Sequence, residues 1–354
     1  MNERSKAPRA VRIWLWIGLI MVFLQIVIGG VTRLTGSGLS ITRWEIVTGT
    51  LPPLSAAAWD AAFDLYKATP QYEKINQGMS MSAFKFIYFW EYFHRLWARL
   101  MGFVFVIPFL WFWRRKMIDP QMRRRLLILV SLAALEGFFG WVMVKSGLRD
   151  RPWVNAYNLT LHLTMGVFIF SWLLWTIFIA YRPIQEPAAN WAKLRFSWSV
   201  IAVIFVQIAL GAMMSGSKAG LFFPTWPDMQ GAYLPAILLD ADNWQWVHFF
   251  DYDKNPFTPA LIQFLHRNVA YVLAGLIIWW VWRTRSLNAA AIDYALLGAL
   301  VLQVAIGIIT LLHCRSEIPV FWGSAHQFGA ILLLSAALCK TFALTSFFSL
   351  FLRR

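Results

Sequence analysis

Four of the six histidines fall inside long apolar stretches: His94, His162, His266 and His326. A histidine within a membrane helix is costly unless it hydrogen-bonds to a neighbouring helix or binds something. Lys85, Trp153, Pro259 and Pro319, which mark the starts of these stretches, lie seven to nine residues before the four histidines. At 1.5 Å per residue every imidazole then sits roughly 10–14 Å below one membrane surface. Two imidazoles at matched depth on facing helices of a four-helix bundle are what a low-spin b-type haem takes as axial ligands. A non-haem metal would add inward carboxylates or thiolates at both sites. No carboxylate accompanies His266 and His326 in the second half. His248 and His313 lie in or beside loops and carry no assigned role.

Arg95 and Arg267 each follow one of these histidines directly. Such an arginine can pair with a haem propionate or snorkel toward the interface, and both readings stay open. Glu91 precedes His94 by three residues, on the same helical face. Its counterpart in the second half is Gln263, and Glu136, four residues before Gly140, is matched by Gln303. An intramembrane glutamate marks function by default, and one beside an iron ligand can exchange a proton with a bound substrate. The alternative for each is a protonated structural hydrogen-bond donor. The asymmetry divides the labour: an electron-passing haem in the C-terminal half, and a reacting molecule beside Glu91 in the N-terminal half.

The elements that must position these groups follow from composition. Hydrophobic residues make up 59% of the 354 and charged residues only 14%, against about 25% charged in an ordinary soluble domain. That excludes a soluble globule and a disordered chain. The net charge of +15 comes from 32 basic and 17 acidic residues. The basic residues stand in short runs between apolar segments, so they read as orientation signals and lipid contacts, with no nucleic-acid partner. Segments 13–31, 84–113, 126–145, 154–181, 196–217, 257–282, 289–312 and 318–340 are each long enough to cross a bilayer. The fold class is therefore all-α, a polytopic membrane protein of eight transmembrane helices.

Arg4, Lys6, Arg9 and Arg12 precede the first span, and Arg114–Lys116, Arg123–Arg125, Arg182, Lys193, Arg195, Arg283, Arg285, Arg353 and Arg354 flank the others on one side. The opposite loops are longer and more acidic, so both termini are expected in the cytoplasm. No small-residue cleavage site closes the first apolar run before Arg33, so a cleaved signal peptide is not expected. The short N-terminal tail favours a bacterial inner membrane over a mitochondrial one. Cys314 and Cys339 differ by roughly 30 Å of depth and should not form a disulfide.

The chain also repeats itself. Gln25–Gly29 recurs as Gln207–Gly211, and at the same offset Gly38, Trp44, Gly49 and Pro53 meet Gly220, Trp226, Gly231 and Pro235. His94-Arg95-x-x-Ala98 recurs as His266-Arg267-x-x-Ala270, Gly140 pairs with Gly307, and His162 with His326. Two tandem four-helix bundles are predicted, at 13–181 (the site of the reacting molecule) and 196–348 (the electron-passing haem). An even helix number gives both the same orientation, so a pseudo-two-fold axis should run along the membrane normal. The long loop 32–83 is expected to cap the N-terminal site, with Ala56–Tyr66 as an amphipathic segment, and 218–256 to cap the other.

These residues resemble a known family. Gly29–Ser40, Trp44, Pro52-Pro53 and Glu91-Tyr-Phe-His94-Arg95 look like haem A synthase, and Trp226-Pro227, His266-Arg267 and His326 fit it too. The resemblance implies oxidation of the C8 methyl of haem O to a formyl group through a hydroxymethyl intermediate, during cytochrome oxidase assembly. It implies that His266 and His326 ligate the iron of a haem b cofactor, with Arg267 beside it. His94, His162 and Arg95 would hold the substrate haem O, with His94 and His162 facing its iron, and Glu91 would be the catalytic carboxylate. Haem O synthase would be the donor of substrate, and an electron donor or acceptor is required. Many members carry a cysteine pair in the first outer loop, and this chain has none between Val31 and Ala83. The competing classes are a quinol-linked di-haem b-type electron-transfer cytochrome and a haem transporter or assembly chaperone. Neither explains why only one half keeps Glu91 and Glu136.

Overall fold

The computed structural model describes residues 6–43, 48–148, 151–181, 191–284 and 290–351. Trp44, Arg4, Arg182, Arg285, Arg353 and Arg354 lie outside the described residues. Among those described, the chain is helical without strands, apart from one isolated bridge between Met229 and Ala232. The first helices are α1 (Arg9–Leu34), α2 (Ala56–Lys67), α3 (Pro70–Lys74), α4 (Met81–Arg114), α5 (Pro120–Gly147) and α6 (Ala156–Tyr181). They are followed by α7 (Trp191–Gly216), α8 (Ala219–Phe222), α9 (Trp246–Phe250), α10 (Phe257–Thr284), α11 (Ala290–Leu312) and α12 (Val320–Phe351).

Eight of these, α1, α4, α5, α6, α7, α10, α11 and α12, are long and apolar enough to cross a membrane. They coincide with the eight predicted segments, and most run a few residues further at one or both ends. The extensions have local causes. Ser80 accepts the Ala83 N–H at 3.2 Å and starts α4 ahead of its apolar run. Asp119 accepts the Met122 N–H at 2.7 Å, with Pro120 in the first turn, and so draws Arg123–Arg125 into α5. Large apolar side chains face outward where lipid would lie, such as Phe103 on α4 (65% exposed) and Val301 on α11 (68% exposed).

The chain divides into two compact units, Trp16–Ile169, and Met1–Leu15 together with Phe170–Arg354. In the first unit, α2 and α3 pack onto the start of α4. Phe63, Tyr66, Phe84 and Ile87 form a buried cluster with Trp59, Tyr72 and Tyr88 around it. The segment expected to be amphipathic is thus a helix whose apolar side, Phe63 and Tyr66, is buried on its own unit. In the second unit, α11 packs along α12, and α7 is flanked by α10 and α12. Lys340 on α12 pairs with Asp293 on α11, both buried, and the Lys340 ammonium also lies 5.5 Å from the Trp280 ring centroid. Cys314 and Cys339 are both free thiols.

Candidate functional site

Each of the four intramembrane histidines meets the helix beside it in the same way. Gly29, Gly140, Gly211 and Gly307 stand against His94, His162, His266 and His326. A Cβ at these glycines would lie 2.9, 3.2, 3.2 and 2.7 Å from the respective Cε1 atoms. Carbon atoms prefer about 3.5–4.0 Å, so a methyl group at position 29 or 307 would collide with the ring and one at 140 or 211 would crowd it. One helical turn before each glycine is a polar side chain that reaches the same histidine. Gln25 Nε2 lies 3.3 Å from His94 Nε2 and donates to the His94 carbonyl at 3.2 Å. Gln207 does the same at His266, at 3.3 and 3.0 Å. Gln303 Nε2 is 3.5 Å from His326 Nε2. At His162 the partner is a carboxylate: Glu136 Oε1 lies 3.0 Å from Nδ1.

The sequence alone matched Gln25 with Gln207 and Glu136 with Gln303 as repeat positions and missed that all four touch histidines. The available signal is Gln/Glu-x-x-x-Gly, which occurs on α1, α5, α7 and α11, the helices that face α4, α6, α10 and α12.

Haem can be tested against this donor set. The His266 and His326 rings have centroids 6.4 Å apart and planes at 78°. Two imidazole nitrogens bonded to one metal ion at about 2 Å each would place the ring centres roughly 6 Å apart. The Nδ1 atoms of His94, His162, His266 and His326 are all buried without a hydrogen-bond partner. Such orphaned donors and acceptors call for an explanation, and a metal ligand supplies one. Among the described residues no three His, Cys, Asp or Glu gather as a non-haem ion would require. His94 and His162 lie within electrostatic reach of one another. The residues present fit a haem held by imidazoles.

Glu91 and Arg95 are engaged with the loop after α1. Glu91 Oε2 accepts from the Ser40 hydroxyl and the Ile41 N–H, both at 2.7 Å. Arg95 donates to Glu91 Oε1 at 2.5 Å and to the carbonyls of Ile41 and Arg43 at 3.1 and 3.0 Å. A cavity of about 260 Å³ opens beside them, lined by Ser40, Arg43, Pro52, Tyr88, Tyr92 and Arg95.

The second unit uses the same device without a carboxylate. Gln263 donates to the Phe223 carbonyl at 2.7 Å, and Arg267 to those of Thr225 and Asp228 at 2.5 Å each. Both arginines thus clamp the loops that follow α1 and α7. His248 and His313 each place Nδ1 2.7 Å from a backbone carbonyl, Asn243 and Ile309, consistent with a structural role.

The chain is similar to proteins named "Heme A synthase" from three bacteria. It is 42% identical to that of Bradyrhizobium diazoefficiens over 98% of this chain and 94% of the relative. It is 39% identical to that of Nitrosospira multiformis over 95% and 94%. For Rhodospirillum centenum the identity is 41%, over 94% and 87%. A family model described as cytochrome oxidase assembly protein matches residues 12–338, from within α1 to within α12, with all four glycine-backed histidines included. With both measures covering nearly its whole length, the chain belongs to the cytochrome oxidase assembly protein family that includes these synthases.

Proposed function

We propose that the protein is a haem A synthase, which oxidises the C8 methyl of haem O to a formyl group through a hydroxymethyl stage with loss of water. What carries the reading is the asymmetry of two otherwise matched imidazole sites. One has carboxylates at Glu91 and Glu136 where the other has the amides of Gln263 and Gln303. An electron carrier has no need of an acid on one side only.

In this reading the bundle at 13–181 takes haem O between His94 and His162, and the bundle at 196–348 holds haem b through His266 and His326. Haem b, when bound, supplies one-electron transfer, while the protein supplies position and protons. Arg95 and Arg267 hold the loops over the two sites and are the cations available to propionates. Glu91 is the carboxylate that exchanges protons with the reacting group, fixed in place by Ser40, Ile41 and Arg95. The farnesyl tail of haem O favours entry from lipid. The basic loops put both termini in the cytoplasm of a bacterial inner membrane, so the histidines lie toward the periplasmic side. Haem O synthase is the expected source of substrate.

Pigments extracted from the purified protein test the proposal. Haem b together with haem O, its alcohol and haem A is the expected mixture. Two haem b per chain, with no product in cells supplied with haem O, would overturn it in favour of a di-haem cytochrome.

A further inference from the structure

The corner between α4 and α5 ends in a left-handed residue, and that residue is a lysine. The N–H groups of Arg115, Lys116 and Met117 donate to the carbonyls of Trp111, Trp113 and Phe112 at 2.9, 3.0 and 3.0 Å. A helix closed in this way ordinarily takes glycine at the position of positive φ, yet Lys116 stands there with φ of 54°. Lys116, Arg114 and Arg123 line a cavity of about 720 Å³, to which Leu110, Trp113 and Ile118 add apolar wall. The Arg123 guanidinium lies 5.3 Å from the Trp113 ring centroid, which holds the cation against that wall. Asp119 is the lining carboxylate; its Oδ1 accepts the Met122 N–H, and it lies within electrostatic reach of Arg125. Among the described residues, neither arginine nor the lysine of the lining is in an ion pair. Membrane orientation alone does not demand so many cations here. Aligned on Gly140 and Gly307, Arg123, Arg124 and Arg125 meet Ala290, Ala291 and Ile292, and the second half turns the same corner with Arg283 and Arg285.

We propose that this corner is a binding site for the phosphodiester headgroup of an anionic glycerophospholipid, with Arg114, Lys116 and Arg123 on the phosphate. Basic pockets between membrane helices suit such headgroups, and an arginine can meet phosphate oxygens with two parallel hydrogen bonds. The apolar wall favours a lipid over a free phosphate ion. Leu110, Trp111 and Trp113 are exposed at the end of α4, so acyl chains leaving the cavity find an apolar surface to lie along. A lipid seated here ties the end of α4 to the start of α5, the helices that carry His94 and Gly140. Arg114 stands about 20 residues beyond His94 on α4, or roughly 30 Å along the helix. The lipid site is therefore separate from the imidazoles and does not depend on what they bind.

The test is the unfolding temperature of the full chain, purified in detergent and stripped of lipid, as phosphatidylglycerol, phosphatidylcholine or inorganic phosphate is added. Phosphatidylglycerol should raise it with a saturating dose dependence, and the other two should not. Arg114→Gln combined with Arg123→Gln should shift that dose dependence to roughly thirtyfold higher lipid. Lys116→Asn should shift it about fivefold; asparagine tolerates the left-handed backbone, so this arm decides the matter if the double variant does not fold. Arg283→Gln, in the matched corner of the second half, is the control and should respond as the wild type does. An equal response to phosphatidylcholine, or a wild-type dose dependence in the double variant and in Lys116→Asn, would overturn the site. A response to inorganic phosphate as large as that to phosphatidylglycerol would overturn the lipid in favour of a free anion.

Discussion

Replacing Gly307 by alanine probes the imidazole geometry with one methyl group. Its Cβ would stand 2.7 Å from His326 Cε1, 3.2 Å from Nδ1 and 3.4 Å from Nε2. Relief to an ordinary contact of about 3.5–4.0 Å requires the ring to retreat by about 1 Å. Metal–imidazole bonds of about 2 Å tolerate deviations of only ~0.2 Å, so a retreat of that size gives up the bond or strains the bundle to keep it. Overpacking of this kind costs about 1–3 kcal/mol, and 2 kcal/mol is roughly a thirtyfold loss of affinity. Gly211→Ala, with its Cβ 3.2 Å from His266, should produce a smaller loss. Gly298→Ala on the same helix as Gly307 meets nothing within 4 Å and is the control. The assay is haem b per polypeptide, with reduced-minus-oxidised spectra, on protein purified in detergent. Wild-type haem content and low-spin bands in Gly307→Ala would refute the reasoning, and so would an equal loss in Gly298→Ala.

Further outcomes follow from other contacts. Glu91→Gln copies the residue of the second half, so the protein should fold and keep haem b while haem A formation falls about a hundredfold or more; wild-type turnover would end the acid–base assignment. His266→Ala and His326→Ala should each abolish the low-spin haem b spectrum, and its retention would contradict the ligand assignment. Lys340→Met leaves Asp293 buried and unpaired and should cost about 3–5 kcal/mol, whereas Lys340→Met with Asp293→Leu should recover most of it; thermal unfolding in detergent distinguishes them. Burial pushes the Cys314 thiol up to about 11, so little thiolate exists at pH 8 and the rate should climb as pH approaches that value. In a Cys339→Ala background, maleimide should label the folded protein at least about a hundredfold more slowly than the unfolded chain at pH 8.

The sequence exposes what is local. A run of apolar residues must become a helix of bilayer length, and the interval from Pro319 to His326 is a depth because the rise per residue is constant. The caps at Ser80 and Asp119 were equally local but lie outside the apolar runs, so the helix extensions they cause were not anticipated. Contacts between helices are a different matter. Gln25 and His94 are 69 residues apart, and Asp293 and Lys340 47 apart, and no periodicity along one helix says which face meets which. Arg95 illustrates the cost. Its place after a histidine left a propionate partner and a snorkelling cation both open, and its hold on the loop at Ile41 and Arg43 is visible only in the structure.

The recurrence of Gln/Glu-x-x-x-Gly opposite histidine explains how one architecture can serve two tasks. The glycine admits the ring, and the polar residue one turn earlier lies against one of its nitrogens. Because the polar residue does not fill the space the ring occupies, glutamine and glutamate can interchange there without repacking the hairpin. The exchange at 136 and 303 sets a carboxylate beside one imidazole and an amide beside the other while the steric frame stays the same. The same logic applies one layer outward, where Glu91 and Gln263 hold equivalent loops, one through its carboxylate and the other through its amide. If loop clamping were the whole purpose of position 91, the amide would suffice in both halves. A Gln263→Glu variant that keeps haem b bound and gains no reactivity, beside a Glu91→Gln variant that keeps its loop and loses turnover, would separate the structural share of that position from the chemical one.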